Sequence, residues 1–303
     1  MNYTSMKRSL AILVFTAAVL IVFNVSRATA QSSGAVDQTV FSKNFARSIG
    51  DPRFDKAPTD PAPAPTPTPT PSAPITWTGP YAGIYLGGNL GKAVANTSTE
   101  FTPSGYFNMV NPPVINSAGR QTLKPSGFNV GGQAGYNYQV SHHVVVGAEA
   151  DFAWMGGAKK SDSVNAPYAF PFGDFTISQS VGTDWLATAR GRAGYLWHGI
   201  LIYGTGGVAM TNLNYEATFT DTFAAAHESG SIKTTRLGWT GGIGGEYKFT
   251  PKFSIKLEGL YADLGRATTT STNLTTSLGS TNPFTHSIYL KEELIRFGFN
   301  YHF

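Results

Sequence analysis

Apolar and polar residues alternate one for one over several stretches of this chain. The last stretch, "LIRFGFNYHF", interleaves Ile295, Phe297, Phe299, Tyr301 and Phe303 with Arg296, Gly298, Asn300 and His302. Strict alternation predicts a β-strand with one apolar and one polar face. Three earlier segments end the same way, on two aromatic residues one position apart: "VGGQAGYNY" (130–138), "ARGRAGYLW" (189–197) and "GGIGGEYKF" (241–249). Aligned with the terminal segment, they bring Tyr136/Tyr138, Tyr195/Trp197, Tyr247/Phe249 and Tyr301/Phe303 into register. Each of the first three is followed by a short polar turn (141–143, 198–199, 250–252) and a further alternating run (144–154, 200–211, 253–264). With "YAGIYLGGNLGKA" (81–93) the total is eight strands. Their connections are alternately short and long, the long ones covering roughly 96–125, 155–181, 213–234 and 266–291, rich in Thr, Ser, Asn and Pro.

Parity decides what covers the apolar faces. In the second strand Phe128, Val130, Ala134, Tyr136 and Tyr138 oppose Asn129, Gln133 and Asn137; in the third, Val146, Phe152 and Trp154 oppose Glu149 and Asp151. In the fourth, Trp185, Tyr195 and Trp197 oppose Asp184, Arg190 and Arg192. Trp154, Trp185, Trp239 and Tyr261 would form one aromatic belt and the four repeated pairs another, the arrangement of a protein crossing a bilayer. A sheet in hydrocarbon must close on itself, because an open edge leaves backbone groups unpaired. The expected fold is therefore all-β: an eight-stranded antiparallel transmembrane barrel, with short periplasmic turns and long extracellular loops. In the fifth strand Ile202 and Val208 oppose Leu201 and Tyr203, so neither face is polar. Lys92 falls on the apolar parity of the first strand, where it either snorkels or marks a bulge.

The remaining sequence sets this barrel in context. Lys7 and Arg8 precede the apolar run 10–23, and "ATA" at 28–30 resembles a signal-peptidase site, so residues 1–30 are expected to be a removed export signal. Residues 31–76 compose a Pro-rich linker whose "DPAPAPTPTPTPSAP" (60–74) favours extended polyproline II. It is either a disordered periplasmic tail or a spacer to the cell wall; the barrel occupies 77–303. The absence of cysteine excludes disulfides and lipoprotein processing. Of the 22 basic residues three lie in the export signal, which has no acid, leaving 19 against 18 and no electrostatic support for nucleic-acid binding.

"WTGPYAGIYLGGNLG" (77–91), "YGTGGVA" (203–209), "KLEGLYADLG" (256–265) and the terminal "FGFNYHF" resemble the alphaproteobacterial porin-family small outer-membrane barrels, the major surface proteins of rhizobia and brucellae. The resemblance covers about 77–303. It implies an envelope protein of the outer membrane, in contact with membrane lipid and lipopolysaccharide, that supports envelope integrity and touches host surfaces through its loops. Some relatives are described as small pores and some as haem binders. Phe299, Tyr301 and the terminal Phe303 resemble the insertion signal read by the outer-membrane assembly machinery.

Candidate chemistry is confined to the polar faces. Glu149, Asp151, Arg190, Arg192, Glu246, Lys248, Lys256, Glu258 and Arg296, four acids and five bases, are expected to pair across neighbouring strands in the lumen. Eight strands leave an interior just wide enough for side chains to fill, which favours a salt-bridged plug over a polar path. Neither a cofactor nor a catalytic group is indicated. The glycine clusters lack the Lys-Ser/Thr of a phosphate loop, and the adjacent His142 and His143 have no further metal ligand at diagnostic spacing. Tyr215, His227, His286 and Tyr289 are the available residue types for an outer-loop haem. The expected role is structural and interactive. A narrow diffusion channel is the alternative, and a lipid-modifying barrel enzyme would need a His and Ser on one outward face.

Overall fold

Twofold alternation persists along almost every segment of the computed structural model, which describes residues 76–170 and 173–303. The export signal and, apart from Thr76, the linker thus lie outside the described residues. Strand β1 (Gly79–Thr99) leads to a short helix α1 (Asn111–Ala118) and to β2 (Arg120–Leu123). There follow β3 (Ser126–Gln139), β4 (Val144–Gly156), β5 (Lys159–Pro167), β6 (Asp174–Gly182) and β7 (Trp185–Trp197). The long strands β8 (Ile200–Asp221), β9 (His227–Lys248), β10 (Phe253–Ser271) and β11 (Phe284–His302) complete the chain.

Eight of these strands form a ring in the order β1–β3–β4–β7–β8–β9–β10–β11, every pair antiparallel. The ring closes where β11 returns to β1, in unbroken register from Tyr81↔His302 to Thr99↔Phe284. No described helix is long and apolar enough to cross a membrane. The turns at one end are short. His198 and Gly199, at φ 49° and 83°, both take the left-handed region that a two-residue hairpin of matching twist requires.

At the other end the four long connections hold much more sheet than a loop reading suggests. β1, β8, β9, β10 and β11 run on well past the outer aromatics, β2 pairs with the outer part of β1, and the β5–β6 hairpin pairs through β6 with the outer part of β8. β2 thereby continues the line of β3, and β6 the line of β7, so the wall rises beyond the eight-stranded body.

The reason lies in an inversion of polarity along each strand. In β1 the outward Ile84, Leu86 and Leu90 give way to Lys92, Asn96 and Ser98, while the inward Tyr81, Tyr85 and Asn89 give way to Ala93 and Ala95. β8 changes from outward Ile202, Val208 and Met210 to outward Asn212, Asn214 and Glu216, with Leu213, Tyr215, Ala217 and Phe219 turned inward. β11 changes at Glu293, beyond which Leu290 and Ile288 point inward. Below the switch the exterior is apolar and the interior polar; above it the wall is that of a water-soluble barrel. The switch fixes the edge of the hydrocarbon layer.

Two ambiguous positions are resolved by the register. In β8, Leu201 and Tyr203 face inward and Ile202 and Val208 outward. Lys92 faces outward opposite Lys291 in a pairing with no shift, so no bulge is present there. The bulge instead lies in β10 between Asp263 and Arg266, around Gly265 at φ 70°.

Candidate functional site

The lumen is the natural place to look for chemistry, and it is filled in layers. Across β4 and β7 the register sets Glu149 opposite Arg190 and Asp151 opposite Thr188, all four inward. Arg190 is the hub: its Nη2 donates to Glu149 Oε1 at 2.5 Å and Asp151 Oδ2 at 3.0 Å, and its Nη1 lies 3.1 Å from Glu258 Oε2. Arg192 Nη2 donates to Glu246 Oε2 at 2.9 Å and its Nε to Asn137 Oδ1 at 2.8 Å. Lys256 Nζ reaches Glu149 Oε2 at 2.9 Å, and Arg296 Nη1 reaches Asp151 Oδ1 at 2.9 Å. Eight charges, four of each sign, therefore sit in one buried network drawn from five strands.

Neutral groups complete it. Tyr81 O–H donates to Glu149 Oε2 at 2.7 Å, Tyr85 O–H to Asp151 Oδ1 at 2.8 Å and Tyr203 O–H to Glu258 Oε1 at 3.0 Å. The same rings carry the cations on their faces, Arg192 over Tyr81 and Tyr203 at 4.8 and 5.0 Å and Arg296 over Tyr85 at 4.5 Å. Thr188 donates to Asp151, and Ser254 and Asn300 donate to Glu246 at 2.6 and 2.8 Å. Sequence reasoning passed over these three tyrosines, although Tyr81 and Tyr85 share a parity opposite to Ile84 and Leu86. It also enrolled Lys248, which the structure places apart. Its ammonium sits at the foot of the barrel, donating to Thr76 O at 2.8 Å and lying 5.2 Å over the Trp77 ring, with no carboxylate in ion-pair reach among the described residues. Asp184, grouped with Arg190 and Arg192 by parity, lies above the switch and accepts from Asn212 and Asn214.

Below this network Trp77, buried among Val145, Leu201 and Tyr203, occupies the mouth at the short-turn end. Above it the inward side chains become apolar: Ala93, Leu123, Met155, Leu186, Ala209, Leu213, Leu260, Ala262, Leu290 and Leu294 fill the bore. A third layer, built from Phe107, Ile115 of α1, Tyr168, Phe175, Ile177, Phe219, Leu274 and Phe284, covers the outer mouth. Asp221 clasps it: Tyr106 and Tyr168 both donate to Oδ2, and the Ala224 and Ala226 amides donate to Oδ1 at 3.2 and 2.9 Å. Burial, followed by the hydrogen bond to the Asp221 carboxylate, pushes both tyrosine hydroxyls above their ordinary titration range.

The aromatic residues singled out by the sequence stand on the exterior. Tyr136, Tyr138, Tyr195, Trp197, Phe249 and Phe303 are exposed around the short-turn end, where Tyr247 and Tyr301 are partly exposed. Phe299 packs among Phe249 and Phe253 on the same outward face. Trp154 and Trp239 are exposed at the level of the polarity switch, with Trp185 paired to Trp154 and Tyr261 packed 5.3 Å from Trp239.

The residues considered for a haem do not converge. His286 is buried inside with both ring nitrogens engaged, Nδ1 3.0 Å from Thr97 Oγ1 and Nε2 3.0 Å from Glu228 Oε1. Tyr215 is buried and donates to Gln179 Oε1 at 2.7 Å, whereas Tyr289 lies on the outer wall against Asp263 and His227 is exposed. Ser271 and Glu228 both approach His286, but on the same ring nitrogen, and the imidazole and the Glu228 carboxylate are buried. A nucleophilic relay instead needs the acid on one nitrogen and the nucleophile on the other. His142, His143 and His198 border a cleft of about 320 Å³ beside Trp77 and Gln139. Among the described residues no three His, Cys, Asp or Glu side chains are grouped to hold a metal.

An eight-stranded ring with an apolar exterior band, aromatic residues at its edges and a polar interior defines an outer-membrane β-barrel. The chain belongs to the outer membrane protein beta-barrel domain family, whose model matches residues 69–303. It is similar to the 31 kDa outer-membrane immunogenic protein of Brucella melitensis, with 34% identity over 199 residues, 64% of this chain and 75% of that protein. It is also similar to the 22 kDa outer membrane protein of Rhizobium leguminosarum, with 26% identity over 63% of this chain and 68% of the relative. Among solved structures, Ail, the attachment invasion locus protein of Yersinia pestis, aligns at 16% identity and a TM-score of 0.30, over 75% of this chain and 99% of that one. The protein resides in the outer membrane, with its short turns periplasmic and its long connections outside the cell.

Proposed function

We propose that this barrel is a closed structural element of the outer membrane whose outer end makes surface contacts, and not a conduit or an enzyme. The observation that carries this reading is the stacking inside the lumen. A solute entering from the periplasm would meet Trp77, then a charge-balanced ion network, then an apolar layer, then the aromatic cap. Opening the network alone creates no continuous polar path, because the layer above it is mainly apolar and offers a solute only the scattered Asn89, Asn129 and Glu292 in place of its water. The outward apolar band fits membrane lipid and lipopolysaccharide as the partners of the wall. The Brucella relative is named immunogenic, which suits display at the cell surface.

The test is single-channel recording of the barrel refolded into a planar bilayer. The expected trace is silent although the protein is folded by its heat-shifted mobility on a gel. A stable, reproducible conductance would refute the closed-lumen reading and leave the narrow diffusion channel in its place.

A further inference from the structure

Charge is distributed unevenly along the part of the barrel that stands outside the membrane. Just above the polarity switch the outer wall carries both signs: Lys92, Lys159, Asp184, Glu216, Lys233, Asp263, Lys291 and Glu293, with exposed ion pairs such as Lys233–Glu216 at 3.6 Å. At the summit charge thins to the exposed acids Glu100 and Asp174 at its edge. Segments 101–119, 163–170, 222–226 and 272–283 contain no Lys, Arg, Asp or Glu at all. A solvated surface ordinarily has about a quarter to a third of its residues charged.

The same segments expose large apolar side chains. Met109 is 73% exposed, Phe170 67% and Leu278 65%, with Val110 and Phe223 about half exposed. They are fixed in place. The Asn108 and Asn111 side-chain amides both donate to Phe170 O at 2.7 Å, joining the first long connection to the second. The Ser277 amide donates to Ala224 O at 3.0 Å, joining the fourth to the third, and the Asp221 clasp and the aromatic layer lie beneath. Contiguous exposed apolar groups on a soluble surface mark an interaction site, and fixing them in advance removes much of the ordering cost of binding.

We propose that this crown docks onto a zwitterionic lipid surface, the headgroup layer of a bilayer other than the one the barrel spans. Two features select that partner. With no Lys or Arg in these summit segments, and with the exposed acids Glu100 and Asp174 beside them, nucleic acids, sulfated glycans and anionic lipids gain no Coulomb attraction there. Met, Leu, Val and Phe also lack the polar handle with which a sugar or a base would be read, whereas they enter the interfacial region of a bilayer readily. The proposal rests on the surface-contact part of the functional reading and is independent of whether the lumen conducts.

The barrel, held in lipid nanodiscs so that its apolar band is covered, is mixed with pure phosphatidylcholine vesicles and floated through a density gradient. Co-flotation is expected, undiminished from low to molar salt. The triple variant Met109→Ser, Phe170→Ser, Leu278→Ser, checked for its heat-shifted mobility, should bind at least ~100-fold more weakly, since each buried apolar side chain is worth roughly tenfold. Equal flotation of variant and parent, flotation only with anionic lipid, or nanodiscs pairing with one another in place of vesicles would each overturn the proposal; the last outcome would assign the crown to a second copy of this chain. A conducting barrel that still floats would refute the closed lumen alone. A silent barrel that does not float would refute the lipid partner alone.

Discussion

Replacing Arg190 by Met tests the energetic core of the lumen. Arg190 touches Glu149, Asp151 and Glu258, so its loss leaves the network with four acids and three bases in a site almost without solvent. Removing one partner of a buried ion pair costs about 3–5 kcal/mol, because the remaining charge is stranded. Lys256 and Arg296 still compensate Glu149 and Asp151, which leaves Glu258 as the carboxylate most exposed to that penalty. The assay is urea unfolding in lipid vesicles, followed by tryptophan fluorescence. With a slope of about 2 kcal/mol per molar urea, the midpoint should fall by ~1.5–2.5 M. The double variant Arg190→Met, Glu258→Gln restores neutrality and should recover more than half of that loss. A single variant that shifts the midpoint by less than ~0.5 M, or a double variant no better than the single, would refute the idea that charge balance holds this interior together. Current recordings on the single variant should stay silent, since the apolar layer above is untouched.

Other expectations follow from the wall and the cap. Gly87 faces β11 so closely that a Cβ would collide with the Ile295 carbonyl, whereas one added at Gly259 would meet nothing within 4 Å. Gly87→Ala should therefore lower the folded fraction on a heat-shift gel while Gly259→Ala leaves it unchanged; equal behaviour would contradict the packing at the seam. Tyr168→Phe removes a hydrogen bond to the Asp221 carboxylate, and such bonds are worth about 1.5–3 kcal/mol. Limited proteolysis should then cut the outer segments faster with the barrel intact, and an unchanged cleavage rate would sink the clasp. The raised hydroxyls of Tyr106 and Tyr168 also predict a pH effect. Their contribution is complete below the ordinary tyrosine value near 10 and is lost as the pH rises above it toward the folded values. Hydrogen exchange in the cap should accelerate in that window, and the double variant Tyr106→Phe, Tyr168→Phe should lose this pH dependence.

The sequence revealed the membrane body because one parity persists from belt to belt, as in Phe128 to Tyr138 or Ile295 to Phe303. Beyond the belt it failed for a physical reason. The solvent changes from lipid to water, so the apolar parity moves from the outer face to the inner one. A strand such as β8, apolar outward at Val208 and inward at Phe219, then averages to no pattern across its length. Its outer half therefore read as a Thr-rich loop. The filling of the bore was hidden by the same inversion, since Ala93, Ala262 and Leu290 announce a core only to a reader who has already turned the faces over. The ion network was easier to find because charges are rare among the barrel strands. Lys248 misled because parity gives direction without height: it points inward, but below its supposed partners.

The seam between β1 and β11 bears on how this protein reaches its final form. Tyr81 pairs with His302 and Thr99 with Phe284, so the two strands that shut the ring are separated by nearly the whole barrel sequence. Every other neighbouring pair in the ring can form as a hairpin or across one inserted excursion, with little chain entropy lost at each step. Closing the ring demands one long-range encounter with a full register to match, and such non-local pairings are the slow events of folding. Before it happens β1 and β11 each present an unsatisfied edge, the condition under which strands pair with the wrong chain. The seam should therefore set the rate of maturation, with an open-ringed sheet as the last species before the native barrel.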